Sequence, residues 1–167
     1  MSDTIREVFT NEAETISSAS GAVIREITLR LTTADLSYAG TNAGVMFQLG
    51  ERVFLLEAGV GRELTDGADA PQSPSLDEFE RAQTNLFRIQ GKGGSLGITL
   101  EQLRDAALML SHDTKGATSD WSIDKIELSV SYEDKDLRNQ YYKQWVAVGW
   151  LTDGAPRVLL QRGASPR

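Results

Sequence analysis

The sequence is most informative first in what it lacks. It contains no cysteine, which rules out thiolate metal sites, cysteine nucleophiles and a disulfide scaffold. It has a single histidine, His112, so a three-histidine zinc site cannot be assembled, and no H-E-x-x-H occurs. Basic runs are missing. The 17 Lys and Arg are outnumbered by 24 Asp and Glu, for a formal net charge of −7 and a sequence pI near 4.8. A chain of that charge is poorly suited to neutralising phosphates, so no nucleic-acid partner is expected. The same charge opposes passive binding to an anionic membrane unless a cation or a local patch reverses its sign. Long apolar runs are missing too. Stretches such as "VFLLEAGV" fall far short of the roughly 20 residues of a spanning helix. The opening "MSDTIREVFTNEAETISS" has acids and hydroxyls where a secretory leader needs an apolar core. The expectation is a chain without signal peptide or transmembrane segment, cytoplasmic or exported without a leader.

At 167 residues one domain is expected, large enough to bury a core without staples. Residues 1–22 are polar and read as an extension, either a short helix across 4–16 or a mobile tail. From Val23 the apolar period becomes two. Ile27, Leu29 and Leu31 alternate with polar residues, and so do Val45, Phe47 and Leu49 and, later, Ile126, Leu128 and Val130. Residues 44–58 read as a β-hairpin, and 59–75, rich in Gly, Pro, Ser and Asp, as a long loop. "NLFRIQ", a strand through 107–111 after a short helical entry, "WSIDKIELSVSY", "KQWVAVGWL" and "RVLLQR" complete about eight strands joined by turns. That pattern predicts an all-β antiparallel sandwich over 23–163, with 164–167 as a C-terminal tail.

Catalytic signals are sparse. "GGSLG" at 93–97 fits G-x-S-x-G, and Asp105 and His112 follow in hydrolase order. The motif needs a strand–turn–helix elbow within repeated βα units, and the chain has none of that pattern, so the segment reads as a turn. His112 reads as a structural hydrogen-bonding residue. Oxygen donors are better supplied. "DTKGATSDWSID" lacks the acids of an EF-hand loop, but "AGTN" (39–42), "DEFE" (77–80) and "SDW" (119–121) could converge at one end of a sandwich and offer oxygens to calcium. The simpler reading of Asp77, Glu78 and Asp120 is solvated loop acids.

Four blocks in order resemble the PLAT (LH2) domain family over roughly residues 24–152: "YAGTNAGVMFQL", "DEFERAQTNLFRI", "LRDAALMLSHDTKGATSDWSIDKIELSV" and "QWVAVGWL". The resemblance implies an eight-stranded antiparallel β-sandwich and a non-catalytic binding module. Such a module would dock to a lipid or membrane interface with calcium assisting, or, alternatively, serve as a protein–protein interaction or structural module that has lost the calcium site. It implies calcium ligands at Gly40 and Thr41, through backbone carbonyls, and at Asn42, Asp77, Glu78 and Asp120, with Tyr38 and Trp121 as candidate lipid or partner contacts. Two departures bear on the metal. Tyr38 stands where the family often has Asp, and Asn42 replaces an acid. With fewer carboxylates, weak or absent binding at that turn is expected, leaving Asn42, Asp77 and Glu78 as the remnant.

Overall fold

The structure, a computed structural model, describes residues 5–7, 12–16, 21–41, 44–64, 79–91, 95–112, 120–133, 141–152 and 154–163. The strands are β1 (Ile5–Glu7), β2 (Glu12–Ile16), β3 (Val23–Thr33), β4 (Val45–Leu49), β5 (Arg52–Glu57), β6 (Val60–Glu63), β7 (Thr84–Gln90), β8 (Ile98–Thr99), β9 (Leu108–His112), β10 (Trp121–Tyr132), β11 (Tyr141–Leu151) and β12 (Arg157–Gln161). One short helix, α1 (Leu100–Asp105), links β8 to β9. It opens on a capping box, in which Thr99 Oγ1 accepts from the Gln102 N–H and the Gln102 side chain accepts from the Thr99 N–H.

Hydrogen bonding runs without a break in the order β1-β12-β9-β4-β5-β6-β7-β3-β10-β11-β2, with β8 on β3. Strands such as β4 and β9 bury every second residue. Each sheet therefore has one apolar face that must be covered by another. The path folds over itself at β6, so that β12-β9-β4-β5 lies against β7-β3-β10-β11. Trp145 on β11 donates its indole N–H to the Leu160 carbonyl of β12 at 2.9 Å across this stack. One contiguous core fills it, including Phe47, Phe54, Phe87, Leu29, Leu128, Trp121 and Trp145.

The all-β sandwich expected from the sequence is the fold found. The eight strands read from periodicity correspond to β3, β4, β5, β7, β9, β10, β11 and β12. Four more were not expected, and two of the pairings, β1–β12 and β6–β7, are parallel. Residues 5–7 and 12–16 form strands on β12 and β11, rather than the helix considered across 4–16. The loop expected over 59–75 begins instead with β6. Ala58 and Gly59 both have positive φ (54° and 79°), the two-residue turn whose twist suits a hairpin. Gly61 then lies so close to β7 that a Cβ there would sit 2.5 Å from Ile89 Cγ1. Residues 65–75 of that loop, the 134–140 stretch and the 164–167 tail lie outside the described residues.

A bulge shapes the end of the molecule where β10 begins. Register with both β3 and β11 shifts between Ile123 and Lys125. Asp124 is the extra residue against β3, and against β11 the extra residue lies on β11, between Val146 and Gly149. The alternation changes phase there. Ile126 and Leu128 point inward on one side of the bulge, and Ile123 and Trp121 on the other.

Candidate functional site

The segment 34–41, the segment 79–83 and the start of β10 meet at this end. The neck of the 34–41 loop is fastened to β10 twice. The Ala34 N–H donates to the Ser122 carbonyl and the Ser122 N–H to the Ala39 carbonyl, both at 2.9 Å. The Thr41 N–H donates to the Phe79 carbonyl at 3.1 Å, and the Ala82 N–H to the Ala34 carbonyl at 3.2 Å. Between these ties the chain turns sharply, with the Ala39 N–H on the Leu36 carbonyl at 3.1 Å. The tip is pinned sideways by Arg81 Nε to Asp35 Oδ1 at 2.8 Å, an exposed pair whose worth is at most about 1 kcal/mol.

Beneath the tip lies an aromatic base. Phe79 is fully buried, stacked on Phe87 (centroids 5.4 Å apart) and edge-on to Trp121 (4.9 Å). Its N–H donates to Asn85 Oδ1 at 2.9 Å. Trp121 is 0 % exposed and donates its indole N–H to Thr33 Oγ1 at 2.9 Å. Among the described residues at this end, three that are not glycine have left-handed backbones: Tyr38 (φ 62°), Phe79 (57°) and Ala82 (61°). Each such residue costs roughly 1–2 kcal/mol. The buried rings and backbone ties hold the segment in place against that strain, a combination that clusters at binding sites.

Gly40 is where the two segments come closest. A Cβ there would lie 2.9 Å from the Phe79 carbonyl oxygen and 3.2 Å from the Arg81 nitrogen, both backbone atoms. Gly40→Ala is therefore expected to destabilise the fold by about 1–3 kcal/mol in urea unfolding. Gly21→Ala is the control, since it meets nothing within 4 Å and should be near neutral.

On this frame, Gly40, Thr41, Tyr38 and the exposed Asp120 are gathered at one end, as the loop blocks suggested. Asn42, Asp77 and Glu78 lie outside the described residues. Among the described residues no group of three or more His, Asp or Glu could hold a metal ion. The described donors are the Gly40 and Thr41 carbonyls and the Asp120 carboxylate. Trp121 needs correcting as a surface contact, because its ring belongs to the core and props Phe79. Tyr38, by contrast, is 91 % exposed, and Leu36, three residues before the loop's second tie, is 50 % exposed. Leu36 was not singled out from the sequence. Its one signal is an isolated leucine between Asp35 and Ser37 in a polar loop.

Of the G-x-S-x-G stretch, residues 95–97 are described, and their surroundings are not those of a strand–turn–helix elbow. Ser95 Oγ donates to Glu133 Oε1 at 2.7 Å. The next residue's carbonyl, that of Leu96, accepts from Arg52 Nη1 at 2.8 Å, while Arg52 also forks onto both carboxylate oxygens of Glu63 at 2.9 Å. The preceding β7 pairs antiparallel with β3, and the short β8 separates Ser95 from α1. His112 is buried at the end of β9, its N–H on the Pro156 carbonyl at 3.1 Å.

No protein-family model and no curated protein matches the sequence. Solved structures do match by fold. The alpha toxin from Clostridium absonum superposes with a TM-score of 0.56 at 16% identity, over 87% of this chain and 33% of the toxin. A lipoxygenase structure in complex with arachidonate gives a TM-score of 0.47 at 17% identity, over 83% of this chain and 16% of that one. The chain thus spans about a third of the toxin's length and less of the lipoxygenase.

Proposed function

Because the chain folds as a PLAT/LH2-type sandwich, we propose that it is a binding module that docks to lipid interfaces through the 34–41 loop. The observation that carries this reading is the exposure of Leu36 and Tyr38 on a tip whose neck is fixed to β10. A rigid mount lets apolar side chains enter an interface without first being ordered, which lowers the cost of binding. Tyrosine suits the headgroup level, where one end of the ring is apolar and the other wet.

Net charge of −7 opposes approach to anionic lipid, and a divalent cation at the tip would reverse the local sign. The donors here are all oxygens, which fits calcium rather than a softer metal. Gly40 and Thr41 would contribute carbonyls and Asp120 a carboxylate, joined by Asn42, Asp77 and Glu78 as the sequence implies. Calcium bound there supplies positive charge between protein and headgroup. Calorimetric titration of the protein with calcium is expected to show saturable, weak binding, reduced at least tenfold by Asp77→Ala with Glu78→Ala. Absence of any heat at millimolar calcium would remove the cation from the account.

A second reading, docking to a protein partner, draws on Val60 and Leu86. Both are about half exposed. Val60 pairs with Arg88, two residues from Leu86, so the two side chains share the outer face of β6 and β7. Vesicle binding that survives Val60→Ser with Leu86→Ser, but not changes at the tip, separates the readings in favour of lipid.

A further inference from the structure

The second edge of this end of the sandwich carries another exposed aromatic besides Tyr38, on a strand rather than a loop. β11 begins with Tyr141, Lys143 and Trp145 facing inward, but its next buried residues are Val148 and Leu151. Two slips of phase are needed, and they coincide with positive φ at Ala147 (52°) and Gly149 (98°), opposite the bulge of β10. Irregularities of this kind re-aim side chains near binding sites. Their effect here is to bring Val148 inward, while Trp150 keeps the outward face that alternation from Trp145 gives it and is 38 % exposed. Trp121 and Trp145 stay fully buried.

Register places Trp150 beside the loop. Trp150 pairs with Ser122, and Ser122 is the residue to which Ala34 and Ala39 are bonded. Trp150, Ser122 and the neck of the loop therefore form one row across three adjacent chains. At about 4.8 Å per step, Trp150 is roughly 10 Å to the side of the neck from which Leu36 and Tyr38 project. An indole at that offset meets the headgroup layer when the tip enters the interface, the depth at which tryptophan is favoured.

We propose that Trp150 is a lateral anchor of the lipid contact, setting the angle at which the sandwich sits on a bilayer surface. The proposal rests on the lipid-docking reading above, and the occupant to which it commits is the bilayer, because Trp150 is continuous with the apolar tip through one row of backbone pairing.

The protein carries its own probe. With the other two tryptophans buried, a change in indole emission on binding reports on Trp150. The intact chain is mixed with phosphatidylcholine–phosphatidylserine vesicles, with and without calcium, and both pelleting and emission are followed. A parallel set uses lipids brominated near the headgroup or deep in the chain. The expected result is pelleting, a blue shift absent in Trp150→Phe, stronger quenching by shallow than by deep bromines, and roughly tenfold weaker pelleting for Trp150→Ala. Pelleting with unchanged, unquenched emission overturns the anchor and leaves the docking reading standing. No pelleting in any condition fells the reading and the anchor with it. A blue shift that grows with protein concentration in the absence of lipid assigns Trp150 to contact with a second copy, and also overturns the proposal.

Discussion

Trp121→Ala should be among the most damaging single substitutions in the chain, costing roughly 3–5 kcal/mol and lowering the thermal midpoint by about ten degrees. The side chain is wholly buried, lies against Phe79 and satisfies the hydroxyl of Thr33. Its loss opens a cavity, and it does so under a backbone already strained at Phe79 and Ala82. The damage should therefore reach the surface, with faster proteolysis between residues 34 and 41 than global unfolding alone explains. Trp121→Phe keeps most of the packing and gives up the hydrogen bond, so about 1–2 kcal/mol is expected. Urea unfolding measures both. A cost under about 1 kcal/mol for Trp121→Ala would mean that the ring is not the support described.

The largest functional effect is expected from the opposite kind of residue. Leu36→Ser with Tyr38→Ser should leave stability within about 0.5 kcal/mol, because both side chains are largely in solvent. Lipid binding should fall on the order of a hundredfold, since two apolar groups each worth roughly 1.4 kcal/mol at the interface no longer leave water. Arg81→Ala should do less than either. It releases Asp35, an exposed pair that steadies the tip without forming the contact surface.

These two predictions divide the loop end into a buried support and an exposed tip, and the sequence distinguished them unevenly. The eight main strands were readable because each is long enough for an apolar period of two to stand out. The four others were not. β8 and β1 are two and three residues long, too short for any period. β6 opens just after Ala58-Gly59 and contains Gly61, so composition marks it as loop, while the reason for that glycine is the nearness of Ile89. β1 and β2 find their partners about 150 and 125 residues away in the chain, at Arg157–Leu159 and Tyr141–Trp145, which no local pattern can report.

The convergence of the 39–41, 79–80 and 120–121 blocks was legible from their types and order. Which way Trp121 points was not. Counting back by twos from Ile126 places Ile123 and Trp121 on the solvent face. The extra residue Asp124 reverses them, whereas Trp150 faces outward as counting by twos from Trp145 gives. Bulges leave almost no trace in a single sequence, and here one decides that Trp121 joins the core rather than the surface. Leu36 was missed for a simpler reason, that a lone leucine in a loop is ordinary until a structure shows it raised beside Tyr38.

The most direct test of the central claim is co-sedimentation of the intact chain with phosphatidylcholine–phosphatidylserine vesicles, in calcium and in chelator, beside the Leu36→Ser/Tyr38→Ser variant. The account predicts that the wild-type chain pellets with vesicles, more strongly in calcium, and that the folded variant stays in the supernatant. Equal pelleting of the two proteins, or no pelleting of the wild-type chain in either condition, would contradict it.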